Sequence, residues 1–403
     1  MLKSRLCIAF FAFAVGCAPA QKPLTDYVNP MLGTATLWDS VDLGFKPTKR
    51  TWGAEVFPGS SLPNAMVQVS PVTKFHSGAG YQYEDSVIYG FTHTNKGHWN
   101  LCHIPLLPVT GTPTPGDYCS PFSHERESAA PGYYQVFLDR YGVDAQLSST
   151  LRCAFHKYTY PAGAAASLLA DLQRSNEHVR AWDIRKEGDN VFAGWQQTGE
   201  KMYFYAVANR PVTGIEPVVE GDREVRIVRF GEGDGALELR IGFSFVSEKN
   251  ARENLEAEML GKSFAEVRSE ATATWNDLLG RIRVEGGTER EKGLFYSSLY
   301  RSFLWPALRS DVNGEFTDVD GKVINPGFRY YTGPSYWDDY RNKLILLGML
   351  APDVAADVIS SDTDKGEKRG GFMPTFFHGD HASAFVAGTY LRGNRGFDVN
   401  RAY

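Results

Sequence analysis

The feature that most constrains the fold of this chain is a change of hydrophobic period near residue 250. From Asp26 to about Ser247, short alternating or apolar runs such as "MYFYAVANRP" and "ALELRIGFSFVS" are separated by Gly, Pro and Asn. Runs of this kind, spaced about ten residues apart, are typical of an antiparallel β-sandwich. Beyond this point apolar residues recur at helical spacing, which predicts one long amphipathic helix from Asn254 to Ile282.

The rest of the sequence has the pattern of several helices in series. Thr288 and Glu291 form a capping box that opens a helix ending near Trp305. Asn-Gly and Asp-Gly pairs predict a loop or hairpin over 311–323, and the next helix is predicted over 336–350. Further helices are predicted at "PDVAADVIS" and "DHASAFVAGTYLRG", and "GFDVNRAY" resembles the start of another. This order indicates a helical toroid or bundle, and we expect the chain to be part of a longer protein.

A chain of 403 residues exceeds the usual size of a single hydrophobic core, so more than one domain is expected. We assign residues 1–20 to an export signal and residues 21–250 to the β-sandwich. Residues 251–285 are assigned to a helical linker, and residues 286–403 to the start of a helical domain.

The first twenty residues have the composition of an export signal, with a basic start, an apolar run and then small residues. The apolar run is too short to span a bilayer, so no membrane span is predicted. An A-P-A sequence at 18–20 fits a signal-cleavage site, whereas "AVGC", ending at Cys17, resembles a lipoprotein box. The sequence therefore predicts a secreted or periplasmic protein, either soluble or anchored through Cys17.

The charge balance excludes one class of partner. A formal net charge of -5, without a local run of Lys and Arg, provides no basic surface for nucleic acid. Aromatic residues make up 13% of the chain, and such rings stack on sugars as well as filling β-rich cores. Cys102, Cys119 and Cys153 follow the signal, which permits one disulfide and one free thiol, and their spacing matches no zinc site.

The stretch "SYWDDYRN" places aromatic rings, adjacent carboxylates and an arginine at the start of a predicted helix. Asp338 in the first turn could simply cap the helix and pair with Arg341. In a toroid, however, helix starts line the central pocket, where a ring can stack on a pyranose while carboxylates and a guanidinium bind its hydroxyls. Trp337, Asp338, Asp339 and Arg341 are therefore candidate sugar-binding residues.

Two further polar clusters are candidates for the same pocket. In "TFFHGDHASAF", Asp380 and His381 lie beside a glycine loop before a helix, where they could also be caps or turn formers. In "GFTHTNKGHWN", His93 and Trp99 follow a strand-like run, and loops of a rigid sandwich commonly carry binding residues. A zinc site around His378 would lack a third suitably spaced ligand.

Four stretches together resemble one family. They are "YVNPMLGT", "FPGSSLPNAMVQVSP", "GYQYEDSVIYGFTHT" and "YYTGPSYWDDYRNKLILLGMLAP". In this order they resemble the exo-acting α-mannosidases of glycoside hydrolase family 92, from Asp26 to the last residue. The resemblance implies an N-terminal β-sandwich joined by a helical linker to a catalytic (α/α)6 barrel, of which this chain would hold the first part.

The resemblance also implies a reaction, namely calcium-dependent, inverting removal of terminal α-linked mannose from glycans. In the family a glutamic acid protonates the leaving oxygen and an aspartate activates water, which requires two carboxyls roughly 6.5 to 9.5 Å apart. Calcium takes oxygen ligands. The family's acid, base and calcium-binding glutamate lie in the second half of the barrel. We therefore expect them beyond Tyr403, and we expect this chain alone to be inactive.

The sequence departs from the family pattern at two motifs. The family loop "HTHLSG" is replaced here by "HTNKGHWN", and W-D-T-F-R is replaced by "WDDYR". Trp337, Asp338 and Arg341 match the family motif and are carried over as sugar-binding residues, with His93 as a pocket-lining residue. Four residues are added from the composition of their stretches alone: Trp99, Asp339, Asp380 and His381.

Other functions stay open at this level. The chain has no G-x-S-x-G, H-E-x-x-H, P-loop or dinucleotide motif in a credible context, which removes the commonest hydrolase, metalloprotease and nucleotide-binding classes. A glycoside phosphorylase with a similar sandwich and toroid would require phosphate for turnover. A glycan-capture protein would bind sugar without chemistry.

Overall fold

The structure is a computed structural model that describes residues 22–36, 44, 55–94, 101–233, 235–373 and 379–403. The predicted export signal, Cys17, Trp99 and His378 lie outside these residues. Within the described ranges, no helix has the length and apolar character needed to cross a membrane.

Two antiparallel sheets form the N-terminal sandwich, as the spacing of the short runs predicts. The first sheet consists, in spatial order, of Ser60–Ser61, Gln68–Val72, Gly90–Thr92, Leu106–Val109, Ser167–Ala170, Arg223–Phe230 and Val212–Glu220. The second consists of Ala181–Gly188, Val191–Gln197, Lys201–Ala208, Leu237–Ser244, Cys153–Thr159, Val143–Ser149, Tyr133–Leu138 and Glu127–Ala130. Two small antiparallel pairs are Val87–Ile88 with Ser120–Pro121, and Phe316–Thr317 with Val323–Ile324.

Alternation along the strands decides which side chains enter the core. In Lys201–Ala208, for example, Met202 and Phe204 are fully buried, whereas Tyr203 lies on the opposite face and is only partly buried. Most buried side chains of the two sheets form one hydrophobic cluster, which continues into the helices through Trp275, and a smaller cluster packs Phe155 of the second sheet against Leu255 and Phe264. The sandwich and the helical part therefore share a core.

The helices follow the sandwich and, in chain order, are α1 (Glu248–Glu258), α2 (Phe264–Leu279), α3 (Glu289–Ser302), α4 (Tyr336–Asp339), α5 (Lys343–Leu350), α6 (Pro352–Lys368), α7 (His381–Leu391) and α8 (Val399–Ala402). Short 3-10 helices occur at Leu24–Tyr27 and His124–Arg126. The prediction of a β-sandwich, a helical linker and a helical domain is confirmed, whereas the predicted boundaries at 250 and 285 stay predictions.

The linker consists of α1 and α2 rather than the single helix that we expected. The chain leaves helical geometry at Met259, and Ser263 opens α2 with a capping box. The Ser263 N–H donates to the Glu266 carboxylate at 2.8 Å, and the Glu266 N–H donates to the Ser263 hydroxyl at 3.3 Å. Leu255 and Trp275 are both buried as predicted, because the helical period holds on either side of the break.

The helical domain agrees with the sequence in two places and differs in one. Thr288 and Glu291 form the predicted capping box of α3, and the predicted hairpin is present as Phe316–Thr317 paired with Val323–Ile324. The single helix expected over 336–350 is interrupted at Asn342, which has a φ of -137°. The Asn342 side-chain oxygen accepts from the Lys343 N–H at 2.6 Å, so Asn342 caps the start of a separate helix, α5.

Cys102, Cys119 and Cys153 are not joined by a disulfide, so the disulfide that the sequence permits is not formed among the described residues. Cys102 and Cys153 are buried. Burial raises the pKa of both thiols, which keeps them protonated and unreactive.

Buried amides join the sandwich to the segment that follows α3. The Asn64 N–H donates to the Phe303 carbonyl at 2.7 Å, and the Asn64 side-chain amide donates to the Pro306 carbonyl at 2.8 Å. The Gln68 amide donates to the Leu304 carbonyl at 3.1 Å. These bonds satisfy backbone carbonyls that would otherwise be buried without a partner, and they hold the two domains together.

A buried carboxylate, Asp311, joins the sandwich, the linker and the hairpin region. Its two oxygens accept from the Asn254 amide and the Ser244 hydroxyl, both at 2.7 Å. Burial raises the pKa of Asp311 to about 6, against the opposing effect of these hydrogen bonds. Nearby, Arg152 and Glu258 form an ion pair at 2.6 Å that is also largely buried.

Candidate functional site

Local hydrogen bonds shape the turn that carries the first candidate residues. The N–H groups of Asp338 and Asp339 donate to the Ser335 carbonyl at 3.0 and 2.9 Å. The Ser335 hydroxyl donates to Asp338 Oδ2 at 2.6 Å, and within the described residues no side chain caps the start of this helix. α4 is therefore a single turn, and the side chains of Ser335 and Asp338 at its start are hydrogen-bonded to each other.

Alternate residues of this turn point inward and outward. Tyr336 is fully buried, and its hydroxyl donates to Asp362 Oδ2 at 2.5 Å. Trp337, the next residue, is 48% exposed. A large exposed ring on an anchored turn suits stacking on the apolar face of a sugar.

The two carboxylates of the turn have different surroundings. Asp339 is partly buried and accepts from the Lys343 ammonium at 3.0 Å, one turn further along the chain. Asp338 is exposed. The Arg341 guanidinium lies over the Tyr340 ring, 5.1 Å from its centre. Asp338 is therefore the more accessible carboxylate for a ligand hydroxyl.

Ring stacking brings the two helix starts together. The rings of Tyr340 and His381 are parallel within 6°, with centres 4.4 Å apart. The stretch "SYWDDYRN" and the stretch around Asp380 thus occupy one place, although each was selected separately from the sequence. His381 Nε2 is buried and has no hydrogen-bond partner in the described region.

Asp380 caps α7. Its carboxylate accepts from the Ser383 hydroxyl at 2.5 Å and from the Ser383 N–H at 3.2 Å. These bonds, the hydroxyl first, lower the pKa of Asp380 below its usual value. The capping alternative for Asp380 thus has direct structural support, and its role in sugar binding stays a prediction.

His93 lies in the sandwich core and is completely buried. Its Nε2 is 3.0 Å from Nε2 of His156, and its ring packs against Phe243 with centres 4.5 Å apart. Burial lowers the pKa of His93 to about 3, so the imidazole is neutral. The described structure gives this histidine a packing role, and the pocket-lining role implied by the family stays a prediction.

The residues that flank the loop with the altered motif are bonded to each other and to the sandwich. Thr94 Oγ1 lies 2.9 Å from Nδ1 of His103, and Nε2 of His103 lies 2.9 Å from Thr198 Oγ1. Thr198 immediately precedes Gly199, which lines a cleft between the two domains. Trp99, near the end of this stretch, lies outside the described residues.

The inter-domain cleft has a volume of about 830 Å³. Lys201, Tyr203 and Phe245 line it from the sandwich side, and Tyr330 and Arg369 line it from the helical side. Its lining continues through 331–334, the residues directly before Ser335 and α4. The cleft therefore adjoins the turn that carries Trp337.

A buried ion pair that was not predicted from the sequence lies beneath this site. Asp362 is fully buried and accepts from the Lys365 ammonium at 2.8 Å as well as from Tyr336. Lys365 also donates to the Tyr331 carbonyl at 2.9 Å. The signal was present as a D-x-x-K spacing just after the predicted helix "PDVAADVIS", which the structure extends to Lys368, but sequence alone does not distinguish a buried pair from an exposed one.

Within the described ranges, no group of three or more His, Cys, Asp or Glu side chains is arranged to hold a metal ion. The carboxylates of α4 and α7 are engaged by Ser335, Lys343 and Ser383, as given above. The described residues therefore do not assemble a carboxylate site for calcium.

Comparison with known proteins identifies the family. The Glycosyl hydrolase family 92 N-terminal domain profile matches residues 27–253, and the family 92 catalytic domain profile matches residues 250–403. A family 92 α-mannosidase of Bacteroides thetaiotaomicron superposes with a TM-score of 0.86 and 26% identity, covering 95% of this chain and 56% of that one. A family 92 inverting mannosidase of the same species gives 0.82 and 24%, covering 94% and 54%.

A relative described as an uncharacterized secreted glycosidase, from Arthroderma benhamiae, is 24% identical over 344 residues, or 72% of this chain and 42% of the relative. The chain thus spans about half the length of the proteins it matches. Because the two family profiles together cover residues 27–403, the chain belongs to glycosyl hydrolase family 92.

Proposed function

We propose that this chain is the sandwich and the first part of the catalytic domain of an exported α-mannosidase that removes terminal α-linked mannose from glycans. The observation that carries the proposal is the exposed Trp337 beside Asp338 on an anchored turn, with Tyr340 stacked on His381 of a second helix start. Membership of family 92 and the similarity to solved α-mannosidases support it.

The residues of this chain would bind and orient the terminal sugar. Trp337 would stack on the pyranose ring, while Asp338 and Arg341 would bond its hydroxyls. Asp380 and His381 would close the pocket from α7, with His381 positioned by Tyr340. Asp339, paired with Lys343, would act less directly by keeping the turn in place.

The reaction proposed is inverting hydrolysis, in which one carboxylic acid protonates the leaving oxygen and one carboxylate activates water. These groups would be roughly 6.5 to 9.5 Å apart. Neither role is assigned to a described carboxylate, and we propose that both come from sequence that follows residue 403 in the full-length protein. Calcium dependence is proposed with it, and the ligands would come from outside the described residues.

The test is mannose release from α-linked mannobioses by the full-length protein, with added calcium or with a chelator, and with the anomer of the released sugar followed by NMR. We expect release of β-mannose that is lost with the chelator. Trp337→Ala should raise KM strongly, whereas Trp182→Ala, on the sandwich, should leave it unchanged. Binding of mannobiose without release would favour glycan capture, and turnover that requires phosphate would favour a phosphorylase.

Export is part of the proposal. It is supported by the signal-like start of the sequence and by the relative described as secreted. Fractionation of cells that express the full-length gene should find the protein in the periplasm or medium. If Cys17→Ala moves the protein from the membrane fraction to the soluble fraction, the protein is anchored through a lipid. If it has no effect, the soluble form is correct.

A further inference from the structure

Tyr336 connects the turn that carries Trp337 to two other helices. Its side chain is fully buried, and its hydroxyl donates to Asp362 Oδ2 on α6 at 2.5 Å. Its ring lies against Phe385 of α7, with the ring centres 6.2 Å apart. Burial, and then the charge of Asp362, raises the pKa of this hydroxyl, so it keeps its proton and stays the donor.

A second contact with α7 follows one turn further along the chain. The Tyr340 N–H donates to the Tyr336 carbonyl at 3.1 Å, so the two rings lie on the same side of the helical turn. Tyr340 stacks on His381, which precedes Phe385 by four residues in α7. Two aromatic pairs, Tyr336 with Phe385 and Tyr340 with His381, therefore hold the turn against one face of α7.

The pair of Asp362 and Lys365 fixes the segment before the turn at both of its ends. At the first end, the Tyr331 N–H donates to the Ser361 hydroxyl at 3.0 Å, and the Tyr331 carbonyl accepts from the Lys365 ammonium at 2.9 Å. At the second end, Tyr336 donates to Asp362, whose other oxygen accepts from Lys365 at 2.8 Å. Buried contacts on α6 thus set the path of the chain into α4.

The direction of the anchored ring decides where the next two side chains point. Successive side chains in a helical turn are rotated by about 100° around its axis. Because Tyr336 is directed into the core, Trp337 and Asp338 are directed away from it, in agreement with their exposure. A single turn has few backbone hydrogen bonds of its own. The orientation of α4 therefore depends on the contacts that Tyr336 makes.

We propose that Tyr336, Asp362 and Lys365 are positioning residues for the terminal-sugar site. Their buried contacts hold α4 in the orientation at which Trp337 can stack on the pyranose while Asp338 bonds a hydroxyl of the same sugar. Both contacts are needed at once, so a small rotation of the turn weakens binding even though both side chains remain. The inference rests on the proposed function for the roles of Trp337 and Asp338.

Tyr336→Phe tests the bond to Asp362, because it removes the hydroxyl and keeps the ring. In the full-length protein it should raise KM for an α-linked mannobiose about tenfold and change kcat much less, since the contacts it disturbs already bind the ground state. Tyr134→Phe is the matched control. Tyr134 is also fully buried and donates to a buried carboxylate, Glu127, at 2.5 Å, but it lies on a strand of the sandwich.

A KM for Tyr336→Phe equal to that of the unmodified protein, or to that of Tyr134→Phe, overturns the proposal. Two double variants then isolate the hydrogen bond from the buried charges. Asp362→Asn with Lys365→Met keeps an amide oxygen that can accept from Tyr336, whereas Asp362→Leu with Lys365→Met removes the acceptor as well. The KM of the second should be about tenfold higher than that of the first. Equal KM values would mean that this bond does not position the turn.

Fluorine NMR of the protein labelled with fluorotryptophan reports the surroundings of Trp337 without substrate. The Trp337 signal is identified by its absence from Trp337→Phe. Tyr336→Phe should shift or split this signal, and Tyr134→Phe should leave it in place. An unchanged signal in Tyr336→Phe overturns the proposal, because the turn would then keep its orientation without the hydroxyl.

The outcome for the positioning residues is separable from the outcome for the proposed function. If mannobioses are hydrolysed while Tyr336→Phe matches the unmodified protein in KM and in the Trp337 signal, only the positioning proposal fails. If mannobiose is bound without hydrolysis, calorimetry replaces KM. About tenfold weaker binding by Tyr336→Phe, together with the changed Trp337 signal, then supports positioning while the hydrolase proposal alone fails. If mannobiose is neither bound nor hydrolysed, both fail.

Discussion

Removing Lys365 should destabilise the helical domain more than removing any exposed lysine. Asp362 is fully buried, and its two oxygens accept from Lys365 at 2.8 Å and Tyr336 at 2.5 Å. In Lys365→Met the Asp362 carboxylate keeps only the tyrosine hydroxyl, and the Tyr331 carbonyl loses its bond to the ammonium. A buried charge is then left without a counter-charge.

The expected cost of Lys365→Met is about 3–5 kcal/mol, the usual range for breaking one side of a buried ion pair. A loss of this size lowers the melting temperature of a domain by about 10 °C. The double variant Asp362→Leu with Lys365→Met removes both charges, so it should lose only about 1–3 kcal/mol, mostly for the unpaired Tyr336 hydroxyl. The double variant is therefore expected to be more stable than the single one.

Urea unfolding of the full-length protein, monitored by tyrosine and tryptophan fluorescence, gives the free energies to compare. Lys249→Met is the matched control. Lys249 pairs with Glu253 at 3.3 Å, but its side chain is 81% exposed. An exposed pair of this kind contributes less than about 1 kcal/mol to the free energy of unfolding. If Lys365→Met costs no more than Lys249→Met, or if the double variant is the less stable of the two, the argument from the buried pair is refuted.

Three further outcomes are expected. Asp338→Ala in the full-length protein should lower kcat/KM for mannobiose about 10- to 100-fold without changing the melting temperature. The reason is the loss of a charge-assisted hydrogen bond to the sugar of about 1.5–3 kcal/mol. Unchanged activity would mean that Asp338 has only a structural role in its helix. Burial raises the pKa of Asp311 to about 6, so its contribution to stability is fully present below its usual pKa near 4 and is lost as pH rises through 6. Urea unfolding at pH 4, 5 and 7 should show a decline of up to about 3 kcal/mol from this group, which Asp311→Asn should remove. The lowered pKa of His93, about 3, acts in the other direction: stability should fall as pH drops from about 6.5 toward 3, with a shallower slope in His93→Gln, whose amide can still bond His156.

Hydrophobic period was sufficient to predict a sandwich followed by helices. The runs "MYFYAVANRP" and "ALELRIGFSFVS" coincide with the strands Lys201–Ala208 and Leu237–Ser244, and the helical period predicted the apolar face of the linker, where Leu255 and Trp275 are buried. It did not give the breaks, because these depend on local bonds of single polar residues. Ser263 starts α2 after α1 has ended at Glu258, and Asn342 starts α5 after α4 has ended at Asp339.

The sequence was sufficient to select candidate residues for the site, but not to predict which of them are in contact. The clusters around Trp337 and His381 were both selected from composition, but nothing in the sequence shows that Tyr340 and His381 stack, since the pair is formed by the packing of α4 against α7. His93 was interpreted as a loop residue because it follows a strand-like run and precedes a polar stretch. Its burial follows from its contact with His156 on a strand of the other sheet.

The buried amides of Asn64 and Gln68 limit the exchange of either domain for one from another protein. Each bonds a main-chain carbonyl of the partner domain, so the bond depends on the path of the backbone there and not on a side chain that a compensating mutation could supply. A gene fusion that joined this helical region to a different sandwich would leave the carbonyls of Leu304 and Pro306 buried and unbonded. The sandwich and the helical domain should therefore be inherited together. An engineered chimaera should take both domains from the same protein, so that the hydrogen bonds of Asn64 and Gln68 are kept.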